Sequence, residues 1–208
     1  MRGVMLGLGL LAVGAGLLSA GATSDFTNDK VAVREVRLAP GEHLGFAGNR
    51  ESVVVYLAGD EAQIKFGSGL MTHESIARGR VVRLEDAVLT NTGHQPLRLV
   101  QVEFLTGGSS EIWGRTGLPS SYEMLFEDNL NRTYVIRVAA HEWEPMHSHH
   151  ARVVVCLDGS TIEHIRPDGS TRTTTLKTDS VSWRLAETHK AHNVGDSDLW
   201  VVAIEPKG

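Results

Sequence analysis

Three histidines in the second half of the chain have the type and spacing to bind a metal ion. His147 and His149 are two residues apart and precede the apolar run 153–157, which predicts a β-strand. Residues two apart on a strand point to the same face, so these imidazoles would converge. His189 lies between two further predicted strands and can close the site from a neighbouring strand. Neutral imidazole is a common ligand for Fe, Zn, Ni and Cu.

Four polar residues near these histidines are candidates to tune the site or to bind a ligand. His150 and His192 should face away from it by strand alternation, so we expect them either to support the ligand histidines from behind or to lie at the surface. His164 lies on the next predicted strand and could point inwards. Arg152, if it faces inwards, would bind a carboxylate that bridges it to the metal; if it faces outwards, it is a surface arginine. The alternative for His147 and His149 is a polar strand end with solvated histidines.

The spacing of these residues resembles the two motifs of the cupin superfamily. The first motif, G-x5-H-x-H-x3-4-E-x6-G, fits at His147 and His149. The second, G-x5-P-x-G-x2-H-x3-N, fits at His189 and Asn193. The resemblance implies a β-barrel of the jelly-roll type with a metal in its interior, and it adds Asn193 to the residues expected to support the metal ligands or to bind the small molecule.

The sequence departs from both motifs. The place of the motif's glutamate is taken by Val153 or Arg152, depending on the end from which the spacing is counted. Thr178, Arg184 and Ala186 stand where the second motif has Gly, Pro and Gly. The resemblance therefore implies a three-histidine site like that of the three-histidine iron dioxygenases of this superfamily. The cofactor expected is Fe, Zn, Ni or Cu, and manganese is less favoured because a hard oxygen ligand is missing.

Composition restricts the class of protein and of partner. The 208 residues are 41% hydrophobic and 22% charged, enough to bury one or two cores. The 22 glycines and the scarcity of helix-type periodicity predict many short strands. The net charge is −5 without a cluster of Lys or Arg, so we expect a small-molecule ligand or substrate and no nucleic acid. The single cysteine, Cys156, is expected to be a small buried hydrophobe.

The N-terminus has the pattern of a secretory signal. Arg2 is followed by the apolar run 4–18 and by small residues up to Ala22. The run is shorter than the roughly 20 apolar residues needed to span a membrane. The pattern predicts a cleaved signal peptide over 1–22, a periplasmic or secreted protein, and no membrane span after processing.

The remaining chain reads as two similar halves. Adding 100 to the residue number superimposes the apolar runs 53–55 and 153–155, and the turns 91–93 and 193–195 match with a shift of two. Self-similarity at a fixed offset indicates a duplicated unit. The predicted fold class is all-β, with two tandem cupin-type barrels of the double-stranded β-helix or jelly-roll kind. The predicted domains are a barrel over 31–105, a connector over 106–132, and a barrel with the histidine cluster over 133–206.

The first barrel is predicted to have lost its ligands. Ala47, Asn49 and Ala87 stand where the second half has its three histidines, so this barrel is expected to be structural. The sequence also predicts one strand over 74–84 and a short helix or turn over 121–128. Cupins often pair as dimers, and exposed strand edges would permit a homodimer here.

Two functions from different classes stay open at this point. The first is a metal-dependent enzyme, a three-histidine dioxygenase or a lyase or isomerase acting on a small organic acid or carbonyl compound. The second is a non-catalytic cupin that binds a small ligand or a metal in a structural or sensory role. A third interpretation, histidines that bind no metal, is also open because short motifs occur by chance.

Overall fold

The computed structural model describes residues 26–208, and the predicted signal peptide over 1–22 lies outside them. This part of the chain contains β-strands and turns and has no helix long and apolar enough to cross a membrane. The strands of the first half are β1 (Phe26–Thr27), β2 (Val31–Leu38), β3 (His43–Phe46), β4 (Ser52–Ala58), β5 (Glu61–Phe66), β6 (Met71–Ser75), β7 (Val81–Leu84), β8 (Ala87–Asn91) and β9 (Leu97–Phe104). Those of the second half are β10 (Glu123–Glu127), β11 (Asn131–Val138), β12 (Trp143–His149), β13 (Arg152–Asp158), β14 (Thr161–Ile165), β15 (Thr171–Thr175), β16 (Val181–Arg184), β17 (Glu187–Asn193) and β18 (Leu199–Pro206).

Each half forms a barrel from one five-stranded and one four-stranded sheet. The first half has the orders β1-β2-β9-β4-β7 and β3-β8-β5-β6, and the second half has β10-β11-β18-β13-β16 and β12-β17-β14-β15. Every strand of the second half occupies the place of its counterpart nine strands earlier. The predicted all-β, two-barrel jelly-roll fold is confirmed.

Two local predictions are wrong. The stretch 74–84 is two strands, because the chain turns between β6 and β7 at Gly79, whose φ is 77°. A side chain at that position would clash with Trp200, so glycine suits both the turn and the close approach. The stretch 121–128 contains the strand β10, which pairs with β11 at the edge of the five-stranded sheet.

Strand alternation divides the core into three parts. On β13, Val153, Val155 and Leu157 face the first barrel, whereas Val154 and Cys156 face the interior of their own barrel. The matching residues of β4 contribute to the same inter-barrel core, so the two five-stranded sheets pack face to face. Cys156 is fully buried, as the sequence predicts. The interior of each barrel is a separate apolar cluster.

One arginine ties the two barrels together at the end of this shared core. The guanidinium of Arg78 donates to the carbonyl oxygens of Leu57 and Leu157, the last buried residues of the two matching strands. It also pairs with Asp179 at 2.7 Å, and Arg98 binds the other oxygen of that carboxylate at 2.8 Å. Burial raises the pKa of Asp179, but the hydrogen bonds and charges of the two arginines outweigh it and hold that pKa below its usual range.

Matching asparagines close the same turn in each barrel. Asn193 donates to the Val138 and Ser197 carbonyls, and its side-chain oxygen accepts from Gly195 N. Asn91 makes the equivalent three hydrogen bonds in the first barrel. The pairings of Ala62 with Asn91 and of Ile162 with Asn193 show the shift of two between the halves.

Candidate metal centre

The structure brings the three predicted ligand histidines together inside the second barrel. His147 and His149 lie on β12 and His189 lies on the neighbouring β17, where it is the direct cross-strand partner of His147. All three are buried, and one ring nitrogen of each lies within 4.8 Å of the others. The spacing of two on β12 and the pairing of β12 with β17 produce this convergence.

The hydrogen bonds of His147 determine which nitrogen carries its proton. Nδ1 lies 2.7 Å from the carbonyl oxygen of Pro145, which can only accept, so Nδ1 carries the hydrogen. Nε2 is then the free acceptor and faces Nε2 of His149 at 3.0 Å. Burial lowers the pKa of His147 to about 4, so the ring is neutral at pH 7.

His149 is held in the same tautomer by a buried chain of polar groups. Its Nδ1 lies 2.7 Å from the hydroxyl of Tyr134, which itself donates to Glu205 at 2.8 Å. Because the tyrosine proton points to the carboxylate, its oxygen accepts the proton of Nδ1. Glu205 also pairs with Arg132, and the side chains of both are completely buried. Burial, followed by the charge of Arg152, lowers the pKa of His149 far below its usual value.

A carboxylate and a fourth histidine lie next to His189. Glu187 is two residues away on β17 and approaches His189 Nδ1 to 3.6 Å. The ring of His164, on β14, lies 4.7 Å from that of His189 and perpendicular to it. Burial lowers the pKa of His164 to about 4, and its buried Nδ1 has no hydrogen-bond partner. His164, Glu187 and His189 form a second cluster able to hold a cation.

Glu144 also faces this pocket, because β12 has a bulge between Glu144 and His147. The extra residue turns Glu144 to the same face as the histidines. It is 8% exposed, and its Oε1 has no hydrogen-bond partner. Burial raises the pKa of this carboxyl. Tyr122 lines the same pocket and places its hydroxyl 3.2 Å from His147 Nε2.

The structure places the remaining predicted residues as follows. Arg152 faces the pocket, where its Nη2 lies 2.8 Å from Glu187. The rings of His150 and His192 stack on Trp113 and Trp143, at 3.8 and 4.0 Å between centroids, outside the triad. Asn193 is buried and uses its amide in the turn described above.

Glu187, Tyr134 and Glu205 belong to the site but were not predicted from the sequence. Glu187 could have been found, since Glu187 and His189 have the same spacing of two as the first histidine pair. Manganese was less favoured from the sequence because no carboxylate was expected at the site. Glu187 and Glu144 both reach the pocket from positions outside the motif, so hard oxygen ligands are present there.

No family model matches this sequence, and no curated protein does. Solved structures do match at the level of the fold. An IolB-like protein from Salmonella typhimurium aligns with a TM-score of 0.64 and 13% identity, over 92% of this chain and 90% of that one. A cupin 2 conserved barrel domain protein from Leptotrichia buccalis aligns with a TM-score of 0.59 and 11% identity, over 94% and 92%. The oxalate decarboxylase of Lactobacillus farciminis, in a formate complex, aligns with a TM-score of 0.61 and 10% identity, over 91% and 84%.

Proposed function

We propose that this chain, which has the cupin fold in two tandem barrels, binds a divalent metal ion through His147, His149 and His189. One observation carries the proposal: the Nε2 atoms of His147 and His149 lie 3.0 Å apart. The Nδ1 proton of each ring is already donated to an oxygen, so two lone pairs face each other. A cation between them converts this repulsion into coordination, and neutral imidazole is the form that binds metals.

The metal would serve an enzyme acting on a small organic acid or carbonyl compound, as a dioxygenase, lyase or isomerase. Three neutral ligands would leave coordination positions open, and the ion held by His147, His149 and His189 would supply Lewis-acid chemistry there. The chain itself would bind the acid through Arg152 and exchange a proton at Glu144 Oε1, which is buried in the pocket without a partner. Fe, Zn, Ni or Cu suits imidazole, and the two carboxylates leave Mn open as well.

Metal analysis of the purified chain tests the site. The His147→Ala/His149→Ala variant should lose the near-stoichiometric metal of the wild-type protein. The His150→Ala/His192→Ala variant is the matched control, because it removes two exposed or half-buried histidines that stack on tryptophans. Retention of metal by the control and loss from the first variant supports the site. Equal metal content in all three proteins, or none after reconstitution, refutes it.

Turnover separates the enzyme from the non-catalytic alternative. The metal-loaded protein would be screened with small keto, hydroxy and dicarboxylic acids, with oxygen consumption and product formation measured. Tight metal binding without turnover of any of these acids would favour a cupin that binds a ligand in a sensory or structural role. The screen is informative only for protein whose metal content has been measured.

We also propose that the protein is exported to the periplasm or secreted, which the apolar run 4–18 and the small residues before position 23 support. The mass of the protein recovered from its native host should lack residues 1–22. A homodimer is a further proposal, and the molar mass in solution tests it.

A further inference from the structure

Three arginines from three strands line the same pocket as His149 and His189. Arg152 on β13 and Arg184 on β16 are direct cross-strand partners, so their side chains leave the sheet side by side. Arg172 on β15 is the cross-strand partner of His164, and it lines the pocket although its side chain is exposed to solvent. The three guanidinium groups therefore lie in one pocket, next to His149 and His189.

The positive charge of this arginine group is not balanced within the pocket. Among the described lining residues the acidic ones are Glu187, which binds Arg152 Nη2, and Glu144, so two carboxylates face three guanidinium groups. The side chain of Arg152 is 6% exposed, and its Nε is buried without a partner. Within residues 26–208, Arg184 makes no hydrogen bond or ion pair. Burial and the neighbouring Arg172 lower the pKa of Arg184.

The fold does not require these arginines. The first barrel has the same strand order and the same pairings, with Ser52 opposite Leu84 and Ile64 opposite Thr72. Ser52, Thr72 and Leu84 are therefore the structural counterparts of Arg152, Arg172 and Arg184. Like charges directly opposite each other on a sheet are destabilising, so the second barrel keeps an arrangement that lowers its stability.

We infer that Arg152, Arg184 and Arg172 form a binding subsite for an oxyanion group of a small organic acid with two acidic groups. The inference deepens the proposed function, on which it rests for the other end of the ligand. One acidic or carbonyl group lies at the histidine triad, and the second lies between Arg152 and Arg184. The overall charge of the chain is −5, so this concentration of positive charge belongs to the pocket and not to the surface at large.

The charge count favours a doubly charged ligand. Three arginines against the two carboxylates Glu187 and Glu144 leave an excess of one positive charge, and a divalent metal would add two more. A guanidinium donates in a planar fork that matches both carboxylate and phosphate oxygens, so either group fits the subsite. The cavity has a volume of about 50 Å³, which restricts the ligand to a compound of a few carbon atoms.

The test measures anion binding by calorimetry in two states of the full chain, metal-free and zinc-loaded. The probes are succinate, malonate and inorganic phosphate, with acetate as the singly charged comparison. The variants are Arg184→Leu and Arg172→Thr, which introduce the residues of the first barrel. Arg37→Leu is the control, because it removes one positive charge at an exposed position of the first barrel. Arg172 is also exposed, so its replacement leaves the fold intact even if Arg184→Leu does not fold.

We expect a dianion to bind the wild-type protein more tightly than acetate does, and Arg184→Leu to weaken that binding by about 10- to 100-fold. Arg172→Thr should weaken it less, and Arg37→Leu should leave it unchanged. The thermal midpoint of ligand-free Arg184→Leu should equal or exceed that of the wild type. A purely structural role for Arg184 would lower this midpoint instead, and that result overturns the inference.

Further outcomes separate the subsite from the metal site. Dianion binding that persists unchanged in Arg184→Leu and Arg172→Thr, and that requires zinc, overturns the arginine subsite and leaves the metal proposal standing. Dianion binding that the variants abolish in a protein unable to hold metal supports the subsite and overturns the metal proposal. The absence of dianion binding to the wild type in both states overturns the inference. A preference for succinate or for phosphate identifies the second acidic group.

Discussion

The buried partner of His149 offers a specific test of the proposed metal site. In the Tyr134→Phe variant, Nδ1 of His149 loses its acceptor at 2.7 Å, and the next carboxylate oxygen, of Glu205, is 3.8 Å away. That distance is too long for a hydrogen bond. The ring is then free to turn or to move its proton to Nε2, the nitrogen that must bind the metal.

The expected loss of metal affinity is about 10- to 100-fold, which is the usual effect of removing such a partner and corresponds to about 1.4–2.8 kcal/mol. The fold should survive, because Glu205 keeps its ion pair with Arg132 and its hydrogen bond from His150 N. Loss of the two buried hydrogen bonds of the Tyr134 hydroxyl costs about 1–3 kcal/mol of folding stability.

Tyr122→Phe is the matched control. Tyr122 is also a buried tyrosine, but its hydroxyl contacts Nε2 of His147, the nitrogen that faces the metal. This contact competes with the metal, so its removal should leave the affinity unchanged or raise it. Competition titration of each protein against a chromophoric zinc chelator, at one fixed pH, gives the dissociation constants. Equal losses in both variants, or no loss in Tyr134→Phe, would refute the assignment of the free nitrogens.

Three further predictions concern stability. Removal of the metal by a chelator should lower the thermal midpoint by about 5–10 °C relative to protein with metal at about 100 times its dissociation constant, as calorimetry would show. Asp179→Asn should lower the free energy of unfolding by about 1–2 kcal/mol, because Arg78 and Arg98 lose a shared carboxylate. Since the pKa of Asp179 is lowered in the folded state, the stability difference between wild type and variant should be constant at neutral pH and should vanish in acid titrations as the pH falls below about 4 and through that pKa. Asn193→Ala and Asn91→Ala should each lower the free energy of unfolding in denaturant by about 2–4 kcal/mol, because each leaves buried carbonyl groups unpaired. The metal content of Asn193→Ala should equal that of the wild type, and a loss of metal would show that Asn193 acts at the site.

Strand periodicity predicted most of the fold and the convergence of His147 and His149, because both depend on a spacing of two along a strand. It could not predict the orientation of Glu144. Counting back from His147 in steps of two reaches Pro145 and assigns Glu144 to the outer face, whereas the bulge reverses the alternation. Proline within a strand occurs at sheet edges and at bulges, so Pro145 marks β12 as irregular but does not fix the face to which Glu144 points.

Tyr134 and Glu205, which orient His149, could not be predicted from the sequence for a different reason. Tyr134 lies in a strand of buried residues, where a tyrosine is commonly part of the core, and Glu205 is 71 residues away in the sequence. Their meeting depends on the pairing of β11 with β18, which places the two ends of the second half side by side. Local sequence patterns carry no information about such a long-range pairing.

The shared core between the five-stranded sheets couples the unfolding of the two barrels. Val53 and Val153, and likewise Val102 and Val202, belong to one apolar cluster, so opening either barrel exposes the face of the other to water. Ligand binding in the second barrel therefore raises the free energy that is needed to open the first barrel. Amide hydrogens on β4 and β9, in the barrel that lacks the histidines, should exchange more slowly with solvent deuterium when the second barrel is loaded. The first barrel would thus report on a site to which it contributes no ligand.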